Sequence, residues 1–193
     1  MTPDPPLRAD ARRNREKLLV AAEQVFAEQG VTASTEDVAR AAGVGVGTVF
    51  RHFPTKEQLI EAVYHARLAR LADLADQLAA SADPGAAFAE FFTTTVEGAA
   101  TKNALVDALA RAGVTTDSPE VGQWVRRALG VLLTRAQEAD AVRSDVTLPD
   151  LLGLLVGTSR AVEHLSDDPA ARVRVVRVVL DGLRPPGGAQ KVD

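Results

Sequence analysis

Residues 34–59 read STEDVARAAGVGVGTVFRHFPTKEQL, and this stretch decides the fold. Ser34 is a helix cap, because its hydroxyl accepts from an orphan backbone N–H two or three residues on. Asp37 stands three residues later, near the positive end of the helix dipole. Val38, Ala39 and Ala42 give that helix a small apolar face. Gly43 follows, where a left-handed residue ends a helix with least strain. Val44 and Gly45 complete a short turn. Residues 46–53 then make a second helix, too short to stand alone, and Pro54 forbids its continuation. Thr55 and Gln58 form a T-x-x-Q capping box that opens a third. Two short helices joined by a glycine-containing turn are the helix-turn-helix pattern, whose second helix enters the major groove of DNA.

Outward from this stretch the periodicity is helical. Residues 1–10 are rich in Pro and read as disordered. Over about 11–29, Leu18, Leu19, Ala22, Val25 and Phe26 recur at helical spacing until Gly30. That stripe should pack on the two helices of the motif and make a three-helix core. A long helix begins near Lys56 and runs toward Ala80. Asp83 and Pro84 open another, to about Gly98, carrying Phe88, Phe91, Phe92 and Val96. A shorter helix spans about 103–112. Ser118, Pro119 and Glu120 read as a cap with Pro at the first helical position, and that helix runs through Trp124 to about Ala139. The last two, about 149–165 and 169–183, are densest in aliphatic residues. The valine run 173–179 is the one place where strand competes, and the Leu and Ala around it favour helix. The expectation is an all-α chain of about nine helices. Residues 11–55 form a DNA-binding domain and residues 56–184 a regulatory and dimerisation domain.

Residues 43–57, GVGVGTVFRHFPTKE, closely resemble the TetR family of transcriptional regulators, whose motif reads roughly G-V-S-x-G-T-L-Y-x-H-F-x-S-K-E. The resemblance covers residues 12–68 in detail and the rest in architecture. It implies that Val46, Gly47, Thr48 and Arg51 lie at or near the groove face of the second helix. Arg51 alone among them can make a bidentate contact to guanine O6 and N7. His52 and Lys56 match positions that grip phosphate, and Lys56 sits at a helix start where the dipole also favours phosphate. Phe50 lies against the sugar-phosphate backbone or packs, and Ser34 and Thr35, which begin the first helix of the motif, are further DNA-binding candidates. Three positions depart from the pattern. Gly45 stands where Ser usually caps the second helix, so that helix should start less firmly. Phe50 replaces Tyr, which removes a phenolic hydrogen bond to phosphate. Thr35 sits where an apolar residue is common.

Composition narrows the function. The chain has 193 residues, a net charge of -4 and no Cys. The acidic balance argues against indiscriminate nucleic-acid binding, so DNA contact must be local. Arg8, Arg12, Arg13, Arg15 and Lys17 supply such a locality beside only Asp10 and Glu16, and next to the motif Arg12 and Arg13 read as phosphate contacts. Without Cys there are no disulfides or thiolate metal sites. No secretory signal and no apolar run of membrane-spanning length is present, so the expectation is a cytoplasmic protein without a membrane.

The resemblance also implies a helical cavity for a small-molecule inducer and a homodimer formed by the last two helices. Phe88, Phe91, Phe92, Thr95 and Trp124, with His164 beside Glu163, are candidates for the cavity wall, although aromatics at helical spacing are more often plain core. Leu151, Leu155 and Val162 make one aliphatic stripe, and Val173, Val176 and Leu180 another, both assigned to a dimer interface. No metalloprotease pair, di-iron pair, phosphate loop or nucleophile elbow is present. The chain therefore reads as a DNA-binding regulator of double-stranded operator DNA, a repressor, with no cofactor, no metal and no enzymatic activity. The rival readings are a dimer without an inducer and a helical enzyme.

Overall fold

The computed structural model describes residues 6–115, 119–165 and 167–186, with the side chains of 6–12, 99 and 119–121 set aside. Among the described residues there are nine α-helices and no strand. They are α1 (Pro6–Gln29), α2 (Thr35–Ala42), α3 (Val46–His52), α4 (Lys56–Ala79), α5 (Pro84–Glu97), α6 (Ala99–Arg111), α7 (Pro119–Glu138), α8 (Leu148–Glu163) and α9 (Pro169–Leu183). The all-α expectation holds, including for the valine run, which is part of α9. Two helices start earlier than the sequence suggests. α1 includes residues 6–10, because Pro at the first helical position has no N–H to lose and a helical φ already set. α6 follows α5 after Gly98 alone. Residues 1–5, Ser118 and 187–193 lie outside the described residues.

The chain divides into two compact units, Met1–Arg67 with Thr101–Asp117, and Leu68–Ala100 with Ser118–Asp193. This differs from a division at 55/56. The reason is burial: Leu59, Ile60 and Val63 of α4 and Leu105 and Leu109 of α6 join Leu18, Val25 and Phe26 of α1, Val38 of α2 and Val49 of α3 in one core. The expected three-helix core is thus extended by parts of two more helices. Glu23 of α1 and Arg67 of α4 add an ion pair at 2.6 Å, each about four-fifths buried.

In the second unit α5 packs against α7, α8 and α9. Phe88, Phe91 and Phe92 of α5 meet Leu129, Leu132 and Leu133 of α7, Leu151, Leu155 and Val162 of α8, and Val176 of α9. This moves Leu151, Leu155, Val162 and Val176 from the expected dimer interface to the chain's own core. Leu151 is 0% exposed, Leu155 6% and Val162 4%; together with Val176 they are buried within their own chain, and Leu180 packs on the same core. Only Val173 of the six is freely exposed. Bulky aliphatics bury more area than small residues and so take the inner face. The outer face of α8 carries Gly153, Val156, Gly157 and Ala161.

Helix starts are fixed by side chains. At α2 the Asp37 N–H donates to Ser34 Oγ at 3.1 Å while the Ser34 N–H donates to the Asp37 carboxylate at 3.0 Å. Thr147 and Asp150 make the same reciprocal box at α8, a T-x-x-D signal just ahead of that helix. Asp83 and Asp168 cap α5 and α9, each accepting at 2.9 Å from an N–H three residues on, with Pro in the first turn. At α4 the Gln58 N–H donates to Thr55 Oγ1 at 3.2 Å.

Hydrogen bonds from Ser34 and Thr147 hold the Asp37 and Asp150 carboxyls below the ordinary value of 3.8. A carboxyl whose pKa is lower in the folded than in the unfolded chain stabilises the fold above the unfolded value, and that contribution is lost as pH falls through the folded value. Asp37→Asn and Asp150→Asn should each lower stability at pH 7 and reduce the further loss below about pH 4. Denaturant unfolding at pH 7 and pH 3 checks this, and an acid loss equal to wild type in both variants would contradict it.

Candidate nucleic-acid interface

The geometry of the motif is set at its turn. Gly43 has φ 68° and ψ 32°, the left-handed region, and its N–H donates to the carbonyls of Ala39 and Arg40. The Val44 N–H reaches back to the Ala39 carbonyl at 3.0 Å. These bonds satisfy the last carbonyls of α2 and turn the chain at once into α3. Gly45 then opens α3 with no side-chain cap, as the missing Ser implies.

α3 has seven residues, and its two sides differ. Val49 is 0% exposed and Phe53, its C-cap, 3%; both belong to the first unit's core. Val46, Gly47, Phe50 and Arg51 are exposed. Their spacing of one, four and five puts them on one face of a helix. Thr48 and His52 are half-buried at its edges, and Lys56 is half-buried at the start of α4. Such a helix, about 10–12 Å across with its side chains, fits a major groove about 12 Å wide. The Arg15 guanidinium of α1 lies 5.2 Å from the Phe53 ring centroid, a cation–π contact that nothing in the sequence spacing announces.

The other expected contacts divide. Arg13 is exposed and lines a shallow depression of about 440 Å³ with Lys17 and Val20 of α1 and Ala41 and Ala42 of α2. The Arg12 side chain lies outside the described residues. Ser34 is half-buried with its hydroxyl committed to the capping box. Thr35 is 8% exposed, and its hydroxyl donates to Glu36 at 3.4 Å. It is a core-facing residue, in line with the apolar residue common at that position, and not part of the exposed surface. Arg40 is an exposed cation nearby, paired with Asp37 at 2.9 Å.

The side chains expected around a ligand are in the second unit. Phe88, Phe91 and Phe92 are at most 3% exposed and serve as core. Trp124 is half-buried against the same core. Thr95 is buried with its hydroxyl lacking a partner among the described residues, as is the hydroxyl of Ser159 on α8. Two cavities of about 570 Å³ open on this unit. One is lined by residues of α5, α8 and α9; the other, of which Phe88 is the one expected member, lies between the start of α5, the α7–α8 connection and the end of α9. Phe91, Phe92, Thr95 and Trp124 line neither. His164 is exposed, its Nδ1 2.7 Å from the Arg160 carbonyl oxygen. Among the described residues no group of His or acidic side chains is placed to hold a metal, and no helix is long and apolar enough to cross a membrane.

Comparison with known proteins agrees with the motif. Residues 18–63 match the model of bacterial regulatory proteins of the tetR family, and residues 83–185, more than half of the chain, match that of the C-terminal domain of SbtR-like transcriptional regulators. The chain belongs to the TetR family. A TetR transcription regulatory protein from Mycobacterium vanbaalenii is 41% identical, with 93% of this chain and 100% of that chain covered and a TM-score of 0.76. The TetR regulator SCO0520 from Streptomyces coelicolor is 36% identical, covering 89% and 98% with a TM-score of 0.75. The repressor KstR2 of Mycolicibacterium smegmatis is 41% identical over 64 residues, 33% of this chain and 30% of that protein. This TetR protein is thus a DNA-binding transcriptional regulator and not an enzyme.

Gly45 offers a direct test of how α3 begins. Its backbone sits at φ -72° and ψ 146°, and a Cβ there meets nothing within 4 Å. Gly45→Ser should raise stability by about 0.5–1 kcal/mol, through a side-chain cap and a less flexible unfolded chain. A denaturation midpoint below wild type would show that the position requires glycine for another reason.

Proposed function

We propose that this TetR regulator is a homodimeric repressor that reads an operator with α3 and is released from it by a small molecule bound to its second unit. The observation that carries the reading is the division of α3, with Val49 and Phe53 turned into the core and Val46, Gly47, Phe50 and Arg51 turned to solvent. In this reading Arg51 contacts a guanine, Thr48 and Val46 contact a phosphate or a thymine methyl, and His52, Lys56, Arg12 and Arg13 hold phosphates. Phe50 lies against the sugar-phosphate backbone. The repressor role draws on the name of KstR2, and the site of action is the cytoplasm, where such an operator lies.

Dimerisation is assigned to the outer face of α8. Gly153, Val156, Gly157 and Ala161 are exposed there, with Val156 at 55%. Small residues four apart let two helices approach closely, and a two-fold axis closes the contact. Release follows as a population shift: a ligand with greater affinity for the non-binding arrangement draws the dimer from the operator. α4, whose residues belong to both units, is the lever. A dimer without an inducer is the second reading, favoured by Phe91 and Phe92 filling the interior of the second unit.

The interface is tested with operator variants and salt. Arg51→Ala should weaken specific binding by about 1–3 kcal/mol and relax preference at one base position. Lys56→Ala should weaken binding to all sequences alike and flatten the salt dependence of affinity. An Arg51→Ala protein that still ranks operator variants as wild type does would exclude base reading by this residue.

The dimer is tested by Val156→Glu, which places a carboxylate on an exposed helix face. The fold should persist while subunit association and operator affinity fall together, since a longer charged side chain at a close helix contact must lose both water and space. Mass in solution and operator titration measure both. A variant that remains dimeric and binds the operator normally would eliminate this face.

A further inference from the structure

The cavity formed by α5, the end of α8 and α9 is a half-open groove of about 570 Å³. Val96, Val162, Val176 and Leu180 line it, and Val173 stands at it 55% exposed. Arg172 and Arg177 line it too, on either side of Val173 and Val176 along α9. Neither guanidinium group has an ion-pair or hydrogen-bond partner among the described residues. Arg184, also lining the groove, pairs with Asp181 at 3.4 Å, and Glu97 is the remaining acid. The groove therefore sets three guanidinium groups against two carboxylates, in a chain whose net charge is -4.

We propose that this groove binds an amphipathic carboxylate, with an alkyl chain along the valines and its head group at Arg172 and Arg177. The volume falls within the range of small-molecule sites, about 300–1,000 Å³, which are mostly apolar with a few placed polar groups. Free guanidinium groups match a carboxylate in charge and in planar geometry, and accept no neutral head group as well. The proposal rests on the ligand reading above and gives it a site and a chemical class.

The test uses the full-length protein with decanoate and decanol, which share a chain length and differ in head group. Wild type should bind decanoate more tightly than decanol in calorimetric titration. The double variant Arg172→Gln with Arg177→Gln should weaken decanoate roughly tenfold or more and leave decanol unchanged. Val173→Trp, which fills the groove from its exposed edge, should weaken both. Decanoate that fails to bind, binds no better than decanol, or binds every variant as it binds wild type overturns the site. A change in the number of subunits per assembly in these variants would make the groove a subunit contact and overturn it equally. Operator affinity in the same solutions separates the two readings. Decanoate bound in the groove with unchanged operator affinity upholds the site and overturns release by this ligand.

Discussion

The burial of Val49 and Phe53 is the constraint on which the rest of the DNA-binding unit depends. A helix of seven residues has too few internal hydrogen bonds to offset the cost of its own nucleation. α3 has no side-chain cap to help it. It persists because one side is sealed into a core built by α1, α2, α4 and α6, and because the bonds from Gly43 and Val44 back to α2 set where it begins. The same two residues decide what α3 offers to solvent. Once Val49 and Phe53 face inward, a helix of 3.6 residues per turn leaves Val46, Gly47, Phe50 and Arg51 no other direction.

The second unit follows a related rule with another result. α8 has apolar or small residues on both sides, with the Arg160–Glu163 ion pair on the outer one, and volume decides which side is inner. Leu151, Leu155 and Val162 fill space against α5 and α9, while Gly153, Gly157 and Ala161 leave a shallow outer surface with Val156 projecting from it. On α9 the inner residues are Ala171, Val176 and Leu183, and the arginines fall along its flanks and outer side.

What was legible in the sequence is what local chemistry determines. The Ser34–Asp37 box, the Gly43 turn and the stop at Pro54 involve residues within a few positions of one another, so their spacing alone specifies them. The bounds of α9 and the capping of α5 were read for the same reason. Spacing also found both aliphatic stripes of the last two helices, but not which partner each stripe meets. An apolar stripe looks the same in a sequence whether it faces its own chain or a second one. That is why Leu151, Leu155 and Val162 read as interface and prove to be core. Thr35 shows another limit: the spacing does not tell how deeply its side chain sits, and only the packing of α2 shows that it is buried. The helical start at Pro6 was hidden by composition, since a Pro-rich segment looks disordered unless the position of each Pro is considered.

The open face of α3 has a consequence for how such a regulator changes over time. None of Val46, Gly47, Phe50 and Arg51 belongs to the first unit's core. A Cβ added at Gly47 meets nothing within 4 Å. Surface positions of this kind tolerate exchange within about 0.5 kcal/mol. On the proposed reading, recognition and folding therefore fall on different residues of the same short helix. On that reading, duplicated copies of the gene can drift toward new operators through exposed positions of α3, with the scaffold beneath them unaltered.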